Sequence, residues 1–157
     1  MRLLFAALLS SLCALPLAAA PLHAQYLPPD DAQLRQGEPT QQQLMQVSEF
    51  SVVAGNERLS NEQPIPVTAP LTVRLKGKPL PKGGALAEVL ISFDSESKSL
   101  KKASYDEASK TLSLNYPLGQ YRIIMDLLRN DTVYVQYLAY GNGHVWADLH
   151  TASGRAH

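Results

Sequence analysis

Apolar and polar residues alternate most regularly in TVYVQYLAYGNGHVWADLH, residues 132–150. Both halves are rich in β-branched and aromatic types, and Gly141-Asn142-Gly143 between them tolerates positive φ, so the stretch reads as a β-hairpin. Loop length decides its register. A two-residue Asn142-Gly143 turn would oppose Tyr140 to Val145 and Tyr137 to Asp148, mixing polar and apolar residues on each face. A three-residue loop, Gly141–Gly143, opposes Tyr140 to His144 and Val135 to Leu149. One face then carries Val133, Val135, Tyr137, Ala139, Val145, Ala147 and Leu149. The other carries Tyr134, Gln136, Leu138, Tyr140, His144, Trp146, Asp148 and His150. Only the longer loop sorts the residues, because a slip of one position exchanges the faces. The sequence predicts that register.

The rest of the chain is patterned less strongly. Thr40 is placed to cap a short helix through Val47, with Leu44 and Val47 on one side. Phe50–Val53 suits a short strand, and Ala54-Gly55-Asn56 a turn. The prolines of NEQPIPVTAP forbid a central strand or helix there. Leu71, Val73 and Leu75 alternate with Thr72, Arg74 and Lys76 as in a half-buried strand, and GKPLPKGG then reads as a loop. Val89, Ile91 and Phe93 mark another strand, followed by a polar connection, Asp94–Ser99. Leu100–Tyr105 and Lys110–Tyr116 form a second hairpin around Asp106–Ser109, with Leu112, Leu114 and Tyr116 facing inward.

Period-two alternation gives way to helical spacing after Pro117. Leu118, Tyr121, Ile124, Met125 and Leu128 share one side, widened by Ile123 and Leu127, while Arg122, Asp126 and Arg129 lie off it. Proline is harmless in a first helical turn, and Arg129 suits the negative end of a helix. The spacing predicts a helix over 118–129. Strands, one helix and a final hairpin make the expected class α+β: an antiparallel sheet of short strands with one main helix packed on one face. The expected layout is a lead segment at 25–47, a single domain at 48–150 and a polar tail at 151–157.

The first residues, MRLLFAALLSSLCALPLAAAPLHA, change the picture. One basic residue, an apolar run and a small-residue end make a secretory signal peptide, with cleavage expected after Ala24. The sole cysteine, Cys13, lies inside it, which leaves the exported chain no disulfide, thiol nucleophile or thiolate metal site. On the order of 130 residues remain, enough for one domain held by packing alone. No later stretch is long and apolar enough to span a bilayer as a helix. The formal net charge of +0 gives no basic surplus for a phosphate backbone, so nucleic acid is excluded as an expected partner.

Candidate chemistry concentrates on the second hairpin face. Aromatic bodies with polar tips suit a surface that meets a ligand, a partner or another part of the same chain. Tyr134, Leu138, Tyr140, His144 and Trp146 are the candidate contact residues, and large aromatics of this kind dominate binding hot spots. The plainer reading packs Trp146 and Leu138 beneath a loop or the N-terminal segment. His144, Asp148 and His150 offer a carboxylate and two imidazoles to zinc or a similar ion, with Asp148 and His150 two apart on one strand face. The same residues could form an acid–base pair. No nucleophile elbow or phosphate-cradling glycine loop accompanies them. The expectation is an exported, non-catalytic binding domain for a protein partner in the cell envelope or outside it, an inhibitor or immunity protein in its sharpest form. A metal-binding protein or metal-dependent hydrolase, and a structural envelope component without a discrete site, are the alternatives.

Overall fold

The computed structural model describes residues 38–55, 71–80, 84–94 and 100–151. The expected leader, most of the lead segment, the proline-bearing stretch 56–70 and residues 152–157 lie outside this set. Among the described residues seven strands follow in order: β1 Gln41–Ala54, β2 Leu71–Leu80, β3 Glu88–Asp94, β4 Ser104–Asp106, β5 Thr111–Pro117, β6 Val133–Ala139 and β7 Val145–Thr151. A 3-10 turn, Leu118–Gln120, leads from β5 into the helix α1, Tyr121–Asn130.

The strands form one sheet in the order β4-β5-β3-β2-β1-β6-β7. Neighbours are antiparallel except β3 and β5, which run parallel. The expected hairpin β4–β5 exists, but its return strand inserts between β3 and β4, so β3 and β5 point the same way. Its turn is closed by Asp106, whose carboxylate accepts from Ala108 N at 3.0 Å and Ser109 Oγ at 2.7 Å. The Ser109 hydroxyl, followed by the Ala108 amide, holds that carboxyl below its ordinary range.

The two limbs of the sheet curl toward one another. The Tyr105 ring on β4 lies 6.1 Å from that of Tyr137 on β6. Gln41 Nε2 donates to Glu107 Oε1 at 2.9 Å. Inside the curl, Met45, Val73, Leu75, Val89, Ile91, Phe93, Leu112, Leu114 and Val135 are buried in one core. Helix α1 joins the end of β5 to the start of β6. It contributes Ile124 and Met125, with Tyr121 edge-on to Phe93 at 5.3 Å.

This architecture corrects the expected class. Strands make up 60% and helix 14% of the described residues, and the sheet is mixed and curled, not an antiparallel sheet with a main helix packed on it. The physical reason is that side chains from the opposite limb fill most of the interior, leaving the short helix a small share. Its apolar stripe is accordingly narrower than the spacing suggested, with Ile123 62% and Leu118 47% exposed.

Two local expectations also fail. Residues 41–47 extend as the first half of β1, because pairing with β6 from Gln41 opposite Ala139 to Gln46 opposite Tyr134 outweighs a weak helical pattern. Gly77–Leu80 belongs to β2 and not to a loop. Beyond Lys76 that strand pairs with β1 alone, so the N–H that Pro79 lacks can fall on the unpaired edge. Gly77 itself is required: a Cβ there would stand 1.9 Å from the Gln46 carbonyl oxygen. The close approach adjoins a bulge at Ser48, where the register of β1 on β2 shifts.

Candidate functional site

The C-terminal hairpin closes as its sequence predicts. Tyr140 N donates to His144 O at 2.9 Å, and Gly143 N donates to Tyr140 O at 2.9 Å. His144 N donates to Asn142 Oδ1 at 3.0 Å. Gly143 takes the left-handed conformation at φ 81, which a glycine adopts at little cost. Leu138 therefore faces Trp146, and Val135 faces Leu149. Val135, Tyr137, Ala139, Val145, Ala147 and Leu149 join the core.

The opposite face carries the candidate residues. Register places Gln42, Leu44 and Gln46 of β1 beside Leu138, Gln136 and Tyr134 of β6. Gln136, Leu138 and Tyr140 are buried, while Tyr134, His144, Trp146, Asp148 and His150 are half-buried. Leu138 and Tyr140 stand outside the core cluster, so this face holds an apolar group of its own. It is not the fully open surface that aromatic bodies with polar tips suggested.

Asp148 organises the half-buried part. Trp146 Nε1 donates to Asp148 Oδ2. A carboxylate oxygen accepts, so His150 Nδ1 donates to Asp148 Oδ1, at 2.5 Å. The Tyr134 ring stacks on that of His150, centroids 5.8 Å apart and planes 12° from parallel. One carboxylate thus orients an indole and an imidazole, and the imidazole orients a phenol. At the turn end, His144 lies against Tyr140 at 5.6 Å.

Two further residues enter the site without having been singled out. Gln136 is fully buried, and neither its amide nitrogen nor its amide oxygen has a hydrogen-bond partner among the described residues. Its alternation marked it as one of this face, but nothing in the sequence marked the missing partners. Tyr116 on β5 belongs to the other limb of the sheet. Its hydroxyl is pushed up to about 12, by burial first and then by the charge of Asp148. That proximity comes from the curl, which no local pattern encodes.

The metal candidates are only partly brought together. Asp148 and His150 bond directly to each other, and both carboxylate oxygens are engaged. His144 is four positions from Asp148 along an extended strand, about 13 Å. Among the described residues no group of three His, Cys, Asp or Glu side chains is gathered for a metal ion. Among them, too, no helix is long and apolar enough to cross a membrane. Comparison of the chain with protein-family models, curated proteins and solved structures found no match.

Proposed function

We propose that this chain is an exported, non-catalytic binding domain that engages a protein partner through the Tyr134/Leu138/Tyr140/His144/Trp146 face of its C-terminal hairpin, with the half-buried Tyr134, His144 and Trp146 making the contact over the buried Leu138 and Tyr140. The observation that carries this reading is the preorganised ring cluster on the side of the sheet away from the core. Trp146 and His150 are held by one carboxylate, and Tyr134 is stacked on the imidazole. Rings locked before contact lose little freedom on binding, which is how aromatic anchors yield affinity. The leader at 1–24 supports an envelope or extracellular partner, and neutralisation of that partner is the sharpest form of the role. The engaged Asp148 carboxylate favours this reading over a metal centre.

The test is capture from a cell-envelope extract on the immobilised protein. Trp146→Ala is expected to weaken capture of the bound protein by about 2 kcal/mol, roughly thirtyfold, with the fold retained by circular dichroism. Unchanged capture, or a variant that unfolds, rejects the reading: Trp146 would then be structural only.

A further inference from the structure

Strand β1 outlasts β6. Their pairing ends at Gln46 opposite Tyr134, whereas β1 continues along β2 to Ala54 opposite Leu71. Beyond the Ser48 bulge, one edge of β1 has no strand beside it among the described residues. Every residue from Ser48 to Ala54 is exposed, including Phe50 at 36%, Val52 at 38% and Val53 at 64%. Such an edge presents a row of N–H and C=O groups to any extended chain. Folds normally blunt it with lysine, proline or an inward-pointing charge. Phe50-Ser51-Val52-Val53-Ala54 contains none of these. Where β1 and β6 part, a cleft of about 410 Å³ opens between Gln46–Phe50 and a wall of Leu128 and Asp131–Val133.

We propose that this edge joins two copies of the chain, β1 of each pairing antiparallel with β1 of the other about a two-fold axis through Ser51. A strand that meets itself needs only to be self-complementary, as in isologous dimers. Opposed residues of an antiparallel pair point to the same face, so the axis passes through a residue and not between two. With Ser51 on the axis, Phe50 lies opposite Val52 of the partner subunit, an aromatic with a β-branched residue, which is a favourable cross-strand pair. Glu49, the only charged residue from Ser48 to Ala54, lies opposite Val53 of the partner subunit and meets no like charge. Its carboxylate keeps Lys76 of its own chain at 3.9 Å. Ala54 lies opposite Ser48 of the partner subunit, so the small residues Ala54 and Gly55 of each copy lead toward the other's cleft. None of these residues belongs to the hairpin face, so the dimer stands or falls independently of the proposed function.

The test is the mass of the full chain by sedimentation equilibrium across a wide concentration range. A monomer–dimer equilibrium is expected, with the dimer lost in Val52→Lys, at a position that is 38% exposed in the single copy. A second measurement introduces one thiol into a chain carrying Cys13→Ser. Ser51→Cys, on the axis, is expected to form a disulfide-linked dimer under mild oxidation. Glu49→Cys is not, since its own copy lies four positions away, about 13 Å along the strand and beyond disulfide reach. A monomer at every concentration overturns the proposal, as does a dimer that survives Val52→Lys or crosslinks equally through both positions. Amide exchange decides the rival occupant. Concentration-independent protection of those amides of residues 49–54 that point away from β2 would mean that the chain's own residues 56–70 cover the edge, and would also overturn it.

Discussion

Gln136 shows how much one side chain can reveal. A buried amide without partners costs about 1–3 kcal/mol relative to a satisfied or apolar replacement. It is fully buried between Leu44 on β1 and Asp148 on β7, its cross-strand neighbours. Gln136→Leu, close in size and apolar, is therefore expected to raise the stability of the isolated protein by about 1–2 kcal/mol in urea unfolding. A lower midpoint would mean that the amide is satisfied in solution. The same variant in the capture assay tells whether the amide serves the partner: a more stable protein that binds less well would assign the unmet hydrogen bonds to recognition.

At the scale of elements, β1 and β2 are fastened by a contact that admits only glycine. The missing Cβ of Gly77 lets the Gln46 carbonyl approach, and the bulge at Ser48 shifts the register just beyond it. Gly77→Ala is expected to destabilise the fold by at least about 2 kcal/mol, since the obstructing atoms are backbone and cannot rotate aside. Thermal unfolding measures this. A loss within error would show that the strands can separate there at no cost. The hairpin behaves in the opposite way, as its turn glycine meets nothing within 4 Å and matters for its φ alone.

At the scale of the molecule, the curl brings residues of β5 and β7 together. Tyr116 reports on it through a hydroxyl pushed up to about 12. In the unfolded chain a tyrosine ionises near 10, so above that pH the unfolded state releases a proton that the folded state retains. Stability is thus whole below about pH 10 and falls as pH rises toward 12, by on the order of 2 kcal/mol. Tyr116→Phe is expected to flatten the curve of urea stability against pH in that window, and an unchanged slope would place Tyr116 in water. Asp148→Asn removes the lesser, electrostatic cause and is expected to flatten it only in part.

How much of this was legible depended on the range of the interaction. The hairpin register was legible because loop length, turn glycines and side-chain alternation act within nineteen residues, and only one parity separates the aliphatic side chains from the rings. The helix after Pro117 and the turn at Asp106–Ser109 were legible for the same reason. Residues 41–47 were not, since Leu44 and Val47 fit a helix locally and only pairing with β6, far along the chain, extends them. The parallel placement of β5 beside β3 was equally hidden, because a half-buried strand alternates the same way whichever direction its neighbour runs.

The sequence by itself determined where the strands around Val73, Ile91 and Leu114 alternate, where the last hairpin turns, and which of its faces carries the tryptophan and imidazoles. Only the tertiary structure decided that the sheet curls on itself, that Tyr116 approaches Asp148, and that β1 runs past its partner to leave an open edge. Local pattern is set by sterics and solvation of near neighbours. Strand order and closure are set by which distant surfaces bury each other best, and that competition leaves no mark on any single stretch.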